Sequence, residues 1–181
     1  MERILFDGRP VIHPAGLPGM AERTVTIGSA SKELRMIGWR VGWIVGPEWL
    51  MPDIARVSMA NVVCQVGIGM RGVAVALEGP ASDLTAANRE WQKRRDVVLG
   101  ELDGLIPAIP PHGGWSLLVD AGALGMSGKG LSERLLSHAK IAATPMDGWG
   151  GPNTSRYLPL VYANESCKRL STLRQRLQAL R

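Results

Sequence analysis

The rhythm of apolar positions changes several times along this chain, and each change predicts an element. The opening "ERILFDG" reads as a strand end running into a turn, with Asp7 as a turn residue, and "RPVIHPAGLPGMAE" as a Pro/Gly-rich loop. "RTVTIGS" is short and β-branched, which predicts a buried strand, and "RVGWIVG", closed by Gly46-Pro47, predicts another. Between them "SKELRMI" predicts a brief helical piece stopped by Gly38, with Ser31 as its N-cap. From Pro47 to about Leu105, apolar residues recur at mixed spacings of three and four, which predicts helix, with Met51, Met59 and Met70 as core filler. Within this region, "SDLTAANREWQKRRDVVLGELDGL" starts at a Ser82/Asp83 capping signal and predicts a long amphipathic surface helix. After "IPAIPPHGG" the pattern turns mixed. "GWSLLVDAG" predicts a strand, "LSERLLSHAK" a helix, "IAATPM" and "RYLPLVYAN" strands, and "SCKRLSTLRQRLQAL" a final helix.

This order predicts an α/β fold in two parts. Residues 1–107 contain the two strands and the helices. Residues 108–181 form a small α+β unit, with the boundary at the Pro107–Pro111 run. At 45% hydrophobic and 20% charged residues the chain is globular rather than disordered. No apolar run reaches the ~18 residues of a spanning helix, so no membrane partner is expected. The net charge of +5 gathers in the terminal "CKRLSTLRQRLQALR", which has no aromatic interleaving. It reads as a solvated helix face rather than a nucleic-acid surface. Cys64 and Cys167 lack CxxC or CxxH spacing, and His13, His112 and His138 are scattered, so neither a metal site nor a disulfide framework is expected. The start has neither the basic segment nor the long apolar run of a signal peptide, and a reduced, cytoplasmic setting follows as the expectation.

The chemistry concentrates in "IGSASKELRMIGWRVGW", residues 27–43. A positioned lysine amine can join an aldehyde as a Schiff base. A phosphate on that aldehyde would call for hydroxyl donors and a bidentate cation. Ser29 and Ser31 place hydroxyls three and one residues before Lys32, and Arg40 places a guanidinium eight residues after it. Gly28, Gly38 and Gly42 allow close backbone approach. The segment lies between two strands, where an α/β sheet presents ligands. It therefore has what a lysine-bound pyridoxal 5′-phosphate requires.

"SASKELRMIGWRVGW" resembles the lysine motif of the fold type I aminotransferases, class I/II of the aspartate aminotransferase superfamily. That motif runs Ser-x-Ser/Ala-Lys, about seven residues ending in Gly-x, then Arg-x-Gly. "GGWSLLVD", "IAATPMDGWG" and "RYLPLVYANES" are similar to later segments of that family, so the likeness extends over essentially the whole chain. The resemblance implies that Lys32 is the Schiff-base lysine and that Ser29 and Arg40, with Ser31 beside them, bind the cofactor phosphate. It implies pyridoxal 5′-phosphate as cofactor, transfer of an amino group from an amino acid to a 2-oxo acid, and a homodimer in the full-length form. The fold it implies is the C-terminal part of the large cofactor-binding domain followed by the small C-terminal domain.

The chain departs from the family pattern twice. The Gly-rich phosphate turn, the stacking aromatic ring and the Asp that pairs with the pyridine nitrogen belong, in the family, to a half upstream of Met1. The Arg that grips the substrate α-carboxylate falls at Pro159, which leaves Arg156, three residues earlier, as a weak substitute. The expectation is an apparently truncated aminotransferase, with a non-catalytic remnant or one half of a split enzyme as the alternative. Ser29-Ala30-Ser31-Lys32 is also a Ser-x-x-Lys, as in acyl-transfer enzymes, but its best partner, "SGKG" at Ser127, is a poor one, and Arg40 then has no role.

Overall fold

The computed structural model describes residues 2–178. The chain divides into two compact units, Met1–Ala86 and Ala87–Arg181. Mixed helix and strand in both accord with an α/β architecture.

In the first unit β1 (Thr26–Ser29) and β2 (Gly42–Val45) form a two-stranded antiparallel sheet, with Ile27 opposite Ile44 and Ser29 opposite Gly42. Between them lies α1 (Ala30–Glu33), a single turn. It ends well before Gly38, because the chain turns at Arg35, whose φ is 56°. The N-cap is Ser29 rather than Ser31: the Ser29 Oγ accepts from the Ser31 amide at 3.2 Å. The expected helical stretch is three helices: α2 (Met51–Asn61) and α3 (Gly67–Glu78) in this unit, and α4 (Ser82–Leu102), which starts here and lies mostly in the second unit. α2 begins with Pro52 in its first turn, a position where the missing amide donor costs nothing. α3 is followed by Gly79-Pro80, which cannot continue it. The core of this unit is thin: Ala30, Val41 and Val73 are buried together, with Leu34, Met36 and Trp43 packed against them. Three sequence expectations are corrected here. β1 is not a buried strand, since Ile27 is 79% exposed. Met59 and Met70 are exposed rather than core filler. The opening strand end amounts to one bridge residue, Leu5, between the buried Ile4 and Phe6.

The second unit is built around a three-stranded antiparallel sheet in the order β3 (Ala108–Ile109), β4 (Ser116–Asp120), β5 (Tyr157–Val161). Alternation in "SLLVD" and "YLPLV" turns Leu117 and Val119 inward opposite Leu160 and Leu158. Pro159 is tolerated because β5 is an edge strand. α5 (Gly128–Ala139) adds Leu131, Leu135 and Ala139 to this core, and its first turn is capped by the Ser127 hydroxyl, which accepts from the Gly130 amide at 3.0 Å. Its last carbonyls, on Ala139 and Lys140, accept from the Arg176 guanidinium. "IAATPM" forms no strand. The final helical pattern breaks at Ser171–Thr172 into α6 (Cys167–Leu170) and α7 (Leu173–Gln178), because both hydroxyls bond back to carbonyls of the preceding turn. Its last residues, 179–181, lie outside the described residues.

Candidate functional site

The segment from β1 to β2 folds back on itself. The Ala30 amide donates to the Val41 carbonyl at 3.1 Å, which fastens the start of α1 to the residue preceding β2. Ser29, Ser31, Lys32 and Arg40 are thereby gathered in one connection. Arg40 sits at φ 54°, a left-handed conformation that a non-glycine residue adopts only at a cost. There its Nη1 donates to the Ile37 carbonyl at 2.8 Å and contacts the Ser31 Oγ at 3.5 Å. Lys32 is exposed on α1, next to Ser31. Glu33, the only carboxylate between residues 27 and 43, is paired with Arg3, and no carboxylate is paired with Arg40 among the described residues. The connection thus presents a cationic fork, two hydroxyls and a lysine, an arrangement suited to an anionic ligand with an amine-reactive group.

The two tryptophans bracketing Arg40 are explained by close approach to glycine. A Cβ on Gly28 would lie 2.1 Å from the Trp43 indole, and one on Gly72 of α3 would lie 2.4 Å from the Trp39 ring. Both rings therefore lie where any side chain would have been, and they wedge the connection between β1 and α3. "GIGMRG", two small residues three apart on a helix, was the available signal for the α3 contact.

Arg156 belongs to the other unit. It ends a short 3-10 turn, Pro152–Arg156, and forms a two-pronged ion pair with Asp120 at the end of β4: Nε to Oδ1 at 2.9 Å and Nη2 to Oδ2 at 2.5 Å. That guanidinium holds the Asp120 carboxyl below its ordinary range, helped by an amide from Ala123. Its fork is thus taken by the protein itself. Ser127, the proposed partner of a Ser-x-x-Lys reading, is a helix cap. A cavity of 260 Å³ in the second unit, lined by Lys140, Tyr162, Glu165, Arg169 and Arg176 among others, contains none of the residues predicted from the sequence. Its charged groups are already bonded within the protein: Lys140 to Ser137, Arg169 to Glu165, and Arg176 to Ala139 and Lys140. Among the described residues no cluster of His, Cys, Asp and Glu could hold a metal, and no helix is long and apolar enough to cross a membrane.

Comparison with known proteins bears on this arrangement. The family model for aminotransferase class I and II matches residues 8–175. The arginine–pyruvate transaminase of Pseudomonas aeruginosa is 33% identical over 177 residues, covering 93% of this chain and 44% of that protein. The aromatic-amino-acid aminotransferase 2 of Thermococcus litoralis is 31% identical, covering 90% and 42%. Among solved structures, the aromatic aminotransferase of Pyrococcus horikoshii superposes with a TM-score of 0.88 at 27% identity, over 98% of this chain and 48% of that one. The N-succinyldiaminopimelate aminotransferase of Mycobacterium tuberculosis gives 0.86 at 26%, over 99% and 48%. The chain spans just under half the length of these relatives.

Proposed function

This chain belongs to the class I and II aminotransferase family, and from that premise we propose that it supplies the cofactor-anchoring part of an enzyme that moves amino groups from amino acids to 2-oxo acids. The family uses pyridoxal 5′-phosphate, and the residues present fit that group. The observation that carries the reading is the meeting of the Arg40 guanidinium with the Ser31 hydroxyl beside Lys32, with no carboxylate paired to Arg40 among the described residues. In this reading the Arg40 fork and the hydroxyls of Ser29 and Ser31 hold the phosphate, and the Lys32 amine holds the carbonyl end. The cofactor, when bound, supplies an electron sink for charge that develops at the substrate Cα. Once the substrate amino group has displaced the Lys32 amine from that carbonyl, the freed amine would take the proton from the substrate Cα as general base and deliver it as general acid. Arg156 stands second as a ligand for the substrate carboxylate. An incoming carboxylate must displace Asp120 from it, which makes Arg156 a weaker grip than an unpaired arginine.

Residues 1–107 are assigned to the large cofactor-binding domain and 108–181 to the small one, in a homodimer working in the cytoplasm. A second reading rests on coverage: with 42–48% of the relatives' length, the chain by itself is a non-catalytic piece, and transamination belongs to the complete protein.

The test is a titration of pyridoxal 5′-phosphate into the complete protein and its Arg40→Lys variant. Lysine keeps the charge and loses the fork. Loss of one charge-assisted hydrogen bond, about 1.4 kcal/mol or more, should weaken cofactor binding roughly tenfold. Equal dissociation constants would remove Arg40 as the phosphate ligand.

A further inference from the structure

Two arginines of the basic terminal run, Arg169 of α6 and Arg176 of α7, line the 260 Å³ cavity of the second unit together with Lys140, the residue that follows α5. Among the lining residues the one carboxylate is Glu165, so three cations face one anion. Glu165 answers Arg169 at 3.2 Å, but the two side chains are 41% and 64% exposed, and such a pair is weak. The other partners are carbonyl oxygens: that of Ser137 for Lys140, and those of Ala139 and Lys140 for Arg176. A carbonyl accepts a hydrogen bond without cancelling the charge, and an ammonium or a guanidinium carries more donors than these bonds use. The floor of the cavity is apolar. Val98 of α4, Leu160 of β5, Leu170 of α6 and Leu173 of α7 line it, and all are buried. Lys140 carries a second signal. Its φ of 55° and ψ of 39° are the left-handed conformation in which a helix ends most readily on glycine. A cation anywhere in the last turn would suit the negative end of α5, so the helix does not account for a lysine at this strained position.

We propose that this cavity binds a short aliphatic carboxylate, with its anionic head at Lys140 and Arg176 and its chain against the apolar floor. Charge selects the head: the cations outnumber the acid, and Glu165 already answers Arg169 in part. The floor selects the chain, because an inorganic anion would satisfy the cations and leave Leu160 and Leu173 uncovered. Size sets the limit. At ~30 Å³ for each water-sized group, a cavity of 260 Å³ has room for roughly nine such groups, which fits a carboxylate on a chain of a few carbons and is too small for pyridoxal 5′-phosphate. The inference goes beyond the proposed function and is independent of the lysine assignment, since none of its residues belongs to 27–43.

The test is a calorimetric titration of 4-methylpentanoate into the chain, without cofactor, beside 4-methylpentan-1-ol and inorganic phosphate. Saturable binding at one site is expected, with the methyl resonances of Leu160 and Leu173 shifting as it fills. Either control should bind roughly tenfold more weakly or worse, the alcohol for want of charge and the phosphate for want of apolar surface. Lys140→Gly removes one cation and relieves the left-handed backbone. It should keep or raise the melting temperature and still weaken 4-methylpentanoate roughly tenfold, the effect of one hydrogen bond to a charged group. A lysine with only a structural role would leave binding alone. Val161→Trp adds bulk at a lining position that is 59% exposed, and should block binding while the chain stays folded. No binding of 4-methylpentanoate, equal binding of the alcohol or of phosphate, or undiminished binding by Lys140→Gly or Val161→Trp would overturn the proposal.

Discussion

In Ala87–Arg181 a core of apolar side chains forms: Leu117 and Val119 of β4, Leu131 and Leu135 of α5, Leu158 and Leu160 of β5 and Leu173 of α7 are all buried, while fewer, Leu136 and Val161 among them, stay exposed. In Met1–Ala86 many apolar side chains face water, Ile27, Met59, Ile68 and Val75 among them, and few are buried: Ile4, Phe6 and the small cluster of Ala30, Val41 and Val73. The difference teaches where stability and chemistry reside. The second unit has an alternating three-stranded sheet with a helix packed on its apolar face. The first unit carries the lysine motif on a connection whose surroundings are mostly solvent. Sites built this way depend on neighbours for their rigidity.

The largest test of that contrast is the same substitution made in each unit. Leu117→Ala removes a side chain that is 2% exposed and should destabilise the protein by about 2–5 kcal/mol. Leu77→Ala, on the exposed face of α3, should fall within about 0.5 kcal/mol of wild type. Urea unfolding followed by circular dichroism measures both. Comparable losses would mean that the first unit is packed as the second is.

Next in size is an alkaline transition. Tyr162 is buried in the second unit, its hydroxyl donating to the Gly114 carbonyl at 3.3 Å, and burial pushes its pKa up from 10.0 to about 12. Between pH 10 and 12 the unfolded chain loses this proton while the folded chain keeps it. Stability should therefore fall by roughly 1.4 kcal/mol per pH unit over that window. Tyr162→Phe should lack this loss. Parallel stability–pH curves for the two proteins above pH 10 would contradict the assigned burial.

The smallest expected effect is at Asp120. Arg156 lowers its pKa from 3.8, so their pairing adds stability above that pH and loses it as pH falls through the lowered value. Asp120→Asn should be slightly less stable than wild type at neutral pH, and the two curves should converge in acid below 3.8. The pair is partly exposed, so the gap is small. A gap that persists in strong acid would show that the carboxylate's charge is not what matters. The same variant sharpens the role of Arg156: a freed fork should lower the KM for amino acid in the complete enzyme and leave kcat nearly unchanged.

Much of this was legible in the sequence, for identifiable reasons. β4, α5 and β5 follow local periodicity, because their burial partners lie within the chain. The spacing of Ser29, Ser31, Lys32 and Arg40 is local too, and the fold brings these residues into one connection. The misreadings have tertiary causes. "IAATPM" has strand composition but pairs with no strand among the described residues, and composition alone does not make a ladder. β1 and the methionines of α2 and α3 carry the apolar pattern of buried elements without the burial. Arg156 could be placed by spacing, but its capture by Asp120, 36 residues away, could not.

The central claim, that Lys32 is the lysine that anchors the cofactor, is tested most directly by trapping. The complete protein is loaded with pyridoxal 5′-phosphate, reduced with borohydride and digested, and the pyridoxyl-bearing peptide is sequenced. The account predicts a single labelled site at Lys32, absent from Lys32→Ala, which should also lose turnover while keeping its fold, since Lys32 is exposed. Label on Lys93, Lys129 or any other lysine, or undiminished turnover in Lys32→Ala, would contradict it.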